Sequence, residues 1–363
     1  MTGQHRIVIL GAGYAGLAAA RRLARTAREA HITVVDARAN FIERVRLHQY
    51  AVGQSVQEWD LRDLLEPKQI QFVRARANGI DTASKQVILD DARALDYDSL
   101  IYALGSTNDA DVPGVAEHAY SVATPEDSQR LRTGIPSGPI VVVGCGATGI
   151  ELAAELAECQ PDSQVVLLGS EAPASWLSLR AQRHVRRALE RLGAEIRSEA
   201  KVIEVTSDGV RLADGSALAA AATVWTAGFG VPDLAQRAGL AVDGHGRVLT
   251  DATLRSLSHP DVYAAGDAAV VAGPGGRDLR MACATALPTG KYAADVVVAR
   301  LTGREPRELR FRYYFQCISL GRRDGVVQFL HHDDAPARTV LTGRTAAWFK
   351  EQIVQGAGRA ARP

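Results

Sequence analysis

The stretch Ile7-Val8-Ile9-Leu10-Gly11-Ala12-Gly13-Tyr14-Ala15-Gly16 decides the fold. Four apolar residues read as a buried strand, the glycines at G-x-G-x-x-G spacing as a turn, and Leu17 to Arg28 as a helix. Each glycine has its own task. Gly11 allows the tight turn, Gly13 lets backbone approach a pyrophosphate, and Gly16 lets the helix lie close on the strand. The helix start then offers unpaired N–H groups and partial positive charge to the phosphates. A second strand, Ile32 to Val35, ends in Asp36, twenty residues past Gly16, where a carboxylate accepts hydrogen bonds from ribose hydroxyls.

The arrangement recurs. Ile140 to Val143 is strand-like, Gly144-Cys145-Gly146-Ala147-Thr148-Gly149 repeats the glycine spacing, and a helix runs on through Glu151 to Cys159. Two such turns imply two dinucleotides, and an enzyme that holds both is most simply explained as passing electrons between them. At the end of the next strand, Gln164 to Leu168, the place of Asp36 falls to Gly169 or Ser170, with Glu171 just beyond. Glu171 can accept from a ribose 2′-OH, and no arginine precedes Arg180 to neutralise a 2′-phosphate, so NADH is favoured and NADPH stays open.

The 363 residues, 47% hydrophobic and 23% charged, suffice for two or three domains with a large core. Lysine plus arginine number 42 against 41 acids, which gives no electrostatic reason to expect nucleic acid as a partner. The start shows no charged and apolar leader, and no apolar run reaches the about eighteen residues that span a bilayer. A cytoplasmic protein, or one peripheral to a membrane, is expected. Cys145, Cys159, Cys283 and Cys317 lie far apart without C-x-x-C or zinc-ligand spacing, so they read as small buried hydrophobes and no metal is expected.

Asp98 to Ser106 reads as a buried strand ending in the Gly105 turn, and Thr223 to Phe229 repeats it with Gly228. His259 to Ala268 is a strand ending in Gly266-Asp267, whose carboxylate can hold a polyol through its hydroxyls. With these elements in this order, the chain resembles the two-dinucleotide-binding flavoprotein reductases of the pyridine nucleotide disulfide oxidoreductase fold over residues 5 to 300. That resemblance implies an α/β fold with two Rossmann-like dinucleotide-binding domains. The FAD domain, 1–112 and 240–305, would be split around an inserted NAD(P)H domain, 113–239, with a small C-terminal region at 306–363. It gives the first turn to FAD, the second to NAD(P)H and Asp267 to the ribityl chain.

Disulfide reductases of this fold need a redox cysteine pair, which the sequence lacks. The chain is most similar to the type II NADH dehydrogenases and the short apoptosis-inducing-factor-like NAD(P)H quinone reductases. Gly149 to Leu156 looks like their glycine-hydrophobe-glutamate helix start, and Phe41 to Gly53 looks like their flavin-side loop. The likeness implies FAD contacts from Gly11, Gly13, Tyr14, Ala15, Gly16, Asp36, Ala37, Arg44, Ala77, Ala103, Gly105, Gly266, Asp267, Ala286 and Leu287. It implies NAD(P)H contacts from Gly144, Gly146, Thr148, Gly149, Glu171 and Gly228, and places Glu151 near the nicotinamide as the catalytic candidate. The bland alternative for Glu151 is an acid favoured in the first turn of any helix.

The expected reaction is hydride transfer from NAD(P)H to FAD and electron transfer on to a quinone or similar small acceptor. The A-Q-x-A-x-Q motif of the quinone channel is replaced by Cys283 to Gly290, with alanine and proline at both glutamine positions, which leaves the acceptor open. A protein carrier remains an alternative, with Arg180, Arg183, Arg186, Arg187 and Arg191 as its basic face, as does a slowly turning redox sensor. Phe311 to Ile318 has strand-like content and is a candidate for packing over the flavin or for a homodimer contact. Thr345 to Val354 is a candidate amphipathic segment for peripheral membrane contact. His48 and His184 read as ordinary packed or surface residues.

Overall fold

A computed structural model describes residues 4–108 and 111–362. Along the chain come strand β1 (Arg6–Leu10), helix α1 (Tyr14–Thr26), β2 (His31–Asp36), β3 (Gln71–Arg74) and β4 (Ser99–Tyr102). Then follow β5 (Ala119–Ser121), β6 (Ile140–Val143), α2 (Ala147–Cys159), β7 (Val165–Leu168), α3 (Leu179–Arg191), β8 (Glu195–Arg197) and β9 (Ala222–Trp225). The last are β10 (Val262–Ala264), α4 (Cys283–Leu301), β11 (Phe315–Ser319), β12 (Gly325–Leu330), β13 (Pro336–Thr342) and α5 (Gly343–Ala361).

Uninterrupted aliphatic runs such as Ile7 to Leu10 and Ile140 to Val143 suit strands covered on both faces, and all eight residues are buried. They lie near the centre of two five-stranded parallel sheets, ordered β10-β4-β1-β2-β3 and β5-β9-β6-β7-β8. Ile7 pairs with Ile32 on one side and Ser99 on the other, and Ile140 with Val165 and Ala222. Each central strand is therefore flanked by strands that the chain reaches in opposite directions, which opens a crevice at its carboxyl end. β10 joins the first sheet through Val262 opposite Leu100, after the chain has built the whole second sheet. The two Rossmann-like layers expected from the sequence are present.

Beyond them lies an antiparallel sheet, β11-β12-β13, with α5 against it. Phe315, Phe329 and Phe349 pack there with ring centroids 5.3 to 6.4 Å apart. Of the expected strand Phe311 to Ile318 only the end from Phe315 is paired; Phe311 and Tyr313 instead stack edge-on at 4.8 Å ahead of it. The segment Thr345 to Val354 is the middle of the 19-residue α5, a helix folded back on its own protein. Arg21 donates from Nη1 to the carbonyls of Arg359 and Ala360, and the Arg362 guanidinium lies 4.1 Å from the Trp59 ring centroid.

Helices α1 and α4 cross at Gly290, where an added Cβ would lie 2.0 Å from the Ala15 carbonyl oxygen. Neither partner is a flexible side-chain end, so only glycine fits. Gly290→Ala is expected to push α4 from the first glycine turn and destabilise the protein by about 1–3 kcal/mol. Urea unfolding compared with the exposed control Gly356→Ala, whose Cβ meets nothing within 4 Å, checks it.

Candidate active site

The first glycine turn is built by contacts that no other residue type permits. Gly11 has φ +98°, and a Cβ there would lie 2.4 Å from the Ala103 carbonyl oxygen; one on Gly16 would lie 1.8 Å from the carbonyl oxygen of Gly11. Gly13 differs, since a Cβ there would meet nothing of the protein within 4 Å. Its small size serves open space in front of α1, as an approaching pyrophosphate requires. No side chain caps α1 and its first turn carries no acid, so its N-terminal N–H groups remain available. At the tip of β2, Asp36 Oδ2 accepts from the Ala12 N–H at 2.7 Å and Oδ1 from the Arg38 N–H at 2.8 Å, which fixes the carboxylate beside the turn. Ala37 follows it exposed, and Ala77 is half-buried at the start of a hairpin whose entry residue Ala75 donates to the Asp36 carbonyl at 3.0 Å.

Asp267 approaches the same crevice from β10. Its Oδ2 accepts from Ser106 Oγ at 2.6 Å, while Oδ1 is buried without a partner. A buried carboxylate oxygen left bare is expensive in a folded protein and marks a place for a hydroxyl-bearing ligand. Arg44 donates from Nη1 to the Ser106 carbonyl and hydroxyl, both at 2.8 Å, and stands 3.8 Å from Asp267 Oδ2. Burial pulls the Arg44 guanidinium below its usual range, against the attraction of Asp267. Gly105, at φ +70°, turns the chain beneath Arg44. Gly266 lies close to Ala15 and Ala286, and its N–H donates to Thr289 Oγ1 at 3.0 Å, so α4 brings Ala286 and Leu287 to this crevice.

The second turn repeats the first. Gly144 has φ +120° with Thr226 Oγ1 2.6 Å from an added Cβ, Gly149 would clash with the Gly144 carbonyl oxygen at 1.8 Å, and Gly146 faces open space. Helix α2 also begins without a side-chain cap. Thr148 is half-buried in its first turn, and Gly228, at φ +79°, lies past β9. Glu171 is exposed beyond β7, its Oε2 taking a hydrogen bond from Ser175 Oγ at 2.6 Å. Both turns thus combine two sterically obligatory glycines with one that faces open space.

Glu151, one turn into α2, is buried at 8% exposure and belongs to a cluster that the sequence does not announce. Its Oε1 accepts from the Ser319 N–H at 2.9 Å and pairs with Lys350 Nζ of α5. Lys350 also donates to Ser319 Oγ at 3.1 Å. His48 Nδ1 stands 3.8 Å from Glu151 Oε2, too far for a hydrogen bond, and its Nε2 is buried without a partner. Burial first, then Lys350, Arg322 and Arg46, holds the imidazole well below its ordinary range, so it is neutral. Burial, with Arg46 adding to it and Glu351 opposing, pushes the Lys350 amine down to about 7. A cavity of about 400 Å³ opens over Lys350 and Ser319. His48 is packed, as expected, and it lies beside a cluster whose members Glu151, Ser319 and Lys350 come from distant parts of the chain.

Residues 5–290 match the family of pyridine nucleotide-disulphide oxidoreductases. The chain belongs to that family. It is 32% identical to an NADH dehydrogenase-like protein of Mycobacterium tuberculosis, over 88% of this chain and 87% of that protein. It is 28% identical to the type II NADH:quinone oxidoreductase of the same organism, over 86% of this chain and 76% of the other. The structure of NDH2 from Plasmodium falciparum in complex with NADH shares its fold, with a TM-score of 0.84 at 16% identity, over 97% of this chain and 94% of that one. The protein is accordingly an FAD- and NADH-dependent oxidoreductase. The buried bare oxygen of Asp267 and the open spaces at Gly13 and Gly146 fit two dinucleotides.

Removing one member of the buried ion pair leaves the other uncompensated. Lys350→Met is expected to destabilise the protein by roughly 3–5 kcal/mol, and Glu151→Gln/Lys350→Met to recover most of that loss. Denaturant unfolding of both variants and Glu151→Gln closes the cycle; simple additivity would deny the coupling.

Proposed function

We propose that this protein oxidises NADH and reduces a quinone, with FAD on the first glycine turn and NADH on the second. The observation that carries the reading is the pair of glycine turns on one chain, each with a glycine that faces open space, with the Glu151–Lys350 pair tying the second of them to α5. The flavin domain comprises 1–112 and 240–305, the nucleotide domain 113–239 and the C-terminal region 306–363. The sharing of one sheet by β1 to β4 and β10 supports that division.

FAD, when bound, supplies the two-electron relay between nicotinamide and acceptor. The remaining work falls to the protein. Gly11, Gly13 and Gly16 bring the α1 N-terminus to one pyrophosphate, with Tyr14 and Ala15 in that first turn and Asp36 and Ala37 beside the ribose. Asp267 offers Oδ1 to the ribityl hydroxyls, with Arg44 and Ser106 holding its other oxygen. Ala77, Ala103, Gly105, Ala286 and Leu287 line the same crevice. Gly144, Gly146, Thr148 and Gly149 present α2 to the second pyrophosphate, with Glu171 and Gly228 at the rim.

Reducing a quinone to its hydroquinone takes two electrons and two protons, and a hydride carries only one of those protons. Lys350 is placed to give the other: it lines the cavity, and its proton is exchangeable near neutral pH. Glu151 and Ser319 hold its amine in place. On the arginine face of α3, Arg191 is paired with Asp324 at 2.5 Å and Arg186 stands 3.7 Å from Glu190, which reduces the free positive charge that a protein carrier would need. Membrane contact and a homodimer contact would fall to the exposed apolar residues of the C-terminal region, Tyr314, Trp348 and Ile353.

Anaerobic stopped-flow tests the reading. NADH should bleach the bound flavin and a short-chain naphthoquinone should restore its colour; a flavin that NADH does not reduce overturns it. Asp267→Ala should purify with most of its flavin lost, whereas Gly146→Val should keep flavin and raise the KM for NADH at least about tenfold. Absorbance at purification and initial rates separate the two.

The pH dependence has a definite sign. A base with its pKa lowered to about 7 is protonated below that value and loses its proton above it. Quinone turnover limited by this donor should fall as pH rises through about 7 and be steady below. In Lys350→Met that limb should vanish, while flavin bleaching by NADH keeps its own profile.

A further inference from the structure

We infer that the cavity beside Lys350 binds the anionic group of an aromatic acceptor, a quinone bearing an acidic substituent, and that Arg323 and Arg344 recognise it. This rests on the quinone reading of the same site and narrows its substrate class.

The first argument is charge. Arg46, Arg322, Arg323, Arg344 and Lys350 line the cavity, with Glu351 as the one acid among the lining residues. Glu351 is already taken by Arg46, at 2.7 and 3.0 Å. Behind the wall, Glu155 receives Arg322 Nη1 at 3.4 Å and Glu158 the Arg322 N–H at 2.7 Å. Asp324, on the same turn, faces away and is held by His184 at 2.8 Å and Arg191 at 2.5 Å. The exposed side chains of Arg323 and Arg344 are left with no hydrogen bond or ion pair among the described residues.

The second argument comes from the helix. α5 starts at Gly343 with no side-chain cap and no acid in its first turn, and that turn carries Arg344. A cation there opposes the helix dipole, and the first N–H groups lack partners, so two sources of positive potential coincide. A Cβ on Gly325 would lie 3.2 Å from the Ala347 nitrogen, so the start of α5 sits on the turn that carries Arg322 and Arg323. An anion between that turn and the helix start satisfies both.

The third argument is shape. Trp348 stands one helical turn beyond Arg344 at 64% exposure and lines the same cavity, offering a flat face to the aromatic ring of the acceptor. Buried Ser319 and largely buried Lys350 line it too. An acceptor whose acidic group rests on Arg323 and Arg344 therefore has its ring against Trp348, inside the cavity that the proton donor lines. The overall step is NADH plus a proton plus quinone giving NAD⁺ plus hydroquinone. Two electrons and one proton leave the nicotinamide, the second proton arrives through Lys350, and the acidic substituent is unchanged.

The test compares menadione with 1,4-naphthoquinone-2-sulfonate on the holoenzyme. At low salt the wild type should show a KM at least about tenfold lower for the sulfonate, a preference that 0.5 M salt erodes. Arg323→Ala/Arg344→Ala should remove the preference, and Arg323→Lys/Arg344→Lys should retain part of it. A preference unchanged in the alanine variant overturns the proposal. Should that variant instead lose sedimentation with phosphatidylglycerol vesicles while keeping the quinone preference, the arginines serve a lipid surface and the proposal fails. If neither quinone turns over although NADH bleaches the flavin, the quinone reading fails. Calorimetric titration of the sulfonate then decides the anion site alone, since binding must still be lost with Arg323 and Arg344.

Discussion

A carboxylate as deeply buried as that of Glu151 costs several kcal/mol unless a partner of opposite charge and good hydrogen bonds compensate it. Here the compensation comes from far along the chain, as the Lys350 ammonium on α5 and the Ser319 N–H on β11. Because Glu151 lies in the first turns of α2, the helix that starts at the second glycine turn is tied to the C-terminal region through this pair, with Glu155 and Glu158 adding contacts to Arg322 further along the helix. The docking of α5 follows from the same requirement. Arg46 bridges Glu43 and Glu351, and an added Cβ on Gly358 would strike Glu43 Oε1 at 1.8 Å, so the helix has little freedom to shift its register.

An apolar pair of the same volume would stabilise this junction as well or better, by the general behaviour of buried ion pairs. Its retention makes sense beside a site that must deliver a proton for each hydride received. Lys350 and neutral His48 keep exchangeable groups in a place from which bulk water is largely excluded. The same burial that makes the cluster costly brings the lysine to a useful pKa.

Much of the fold is legible in the sequence because its signals are local. The glycines at 11, 13 and 16, and again at 144, 146 and 149, carry steric demands that act within a few residues. Asp36 and Gly266-Asp267 are strand-end features that need no distant partner to be recognised. The cluster around Glu151 has no such mark: His48, Ser319 and Lys350 come from three separate parts of the chain, and a single histidine or lysine carries no local sign of burial. Lys350 even sits among Trp348, Phe349 and Ile353, where the alternation suggests a polar face turned to solvent, yet the packing of Phe349 on Phe315 and Phe329 turns it inward. The Arg44–Ser106–Asp267 arrangement is hidden for the same reason.

The bare Oδ1 of Asp267 has a consequence for how much of this protein a cell holds. A folded chain that keeps an unpaired buried oxygen and two uncapped helix ends is less stable than its liganded form, and any molecule that binds only the folded state adds stability in proportion to the logarithm of its concentration over its dissociation constant. Flavin is such a molecule. Unfolded chains are continually removed by proteases, so a modest loss of stability becomes a several-fold loss of abundance. Flavin binding is therefore expected to raise the resistance of the folded chain to unfolding and to proteolysis.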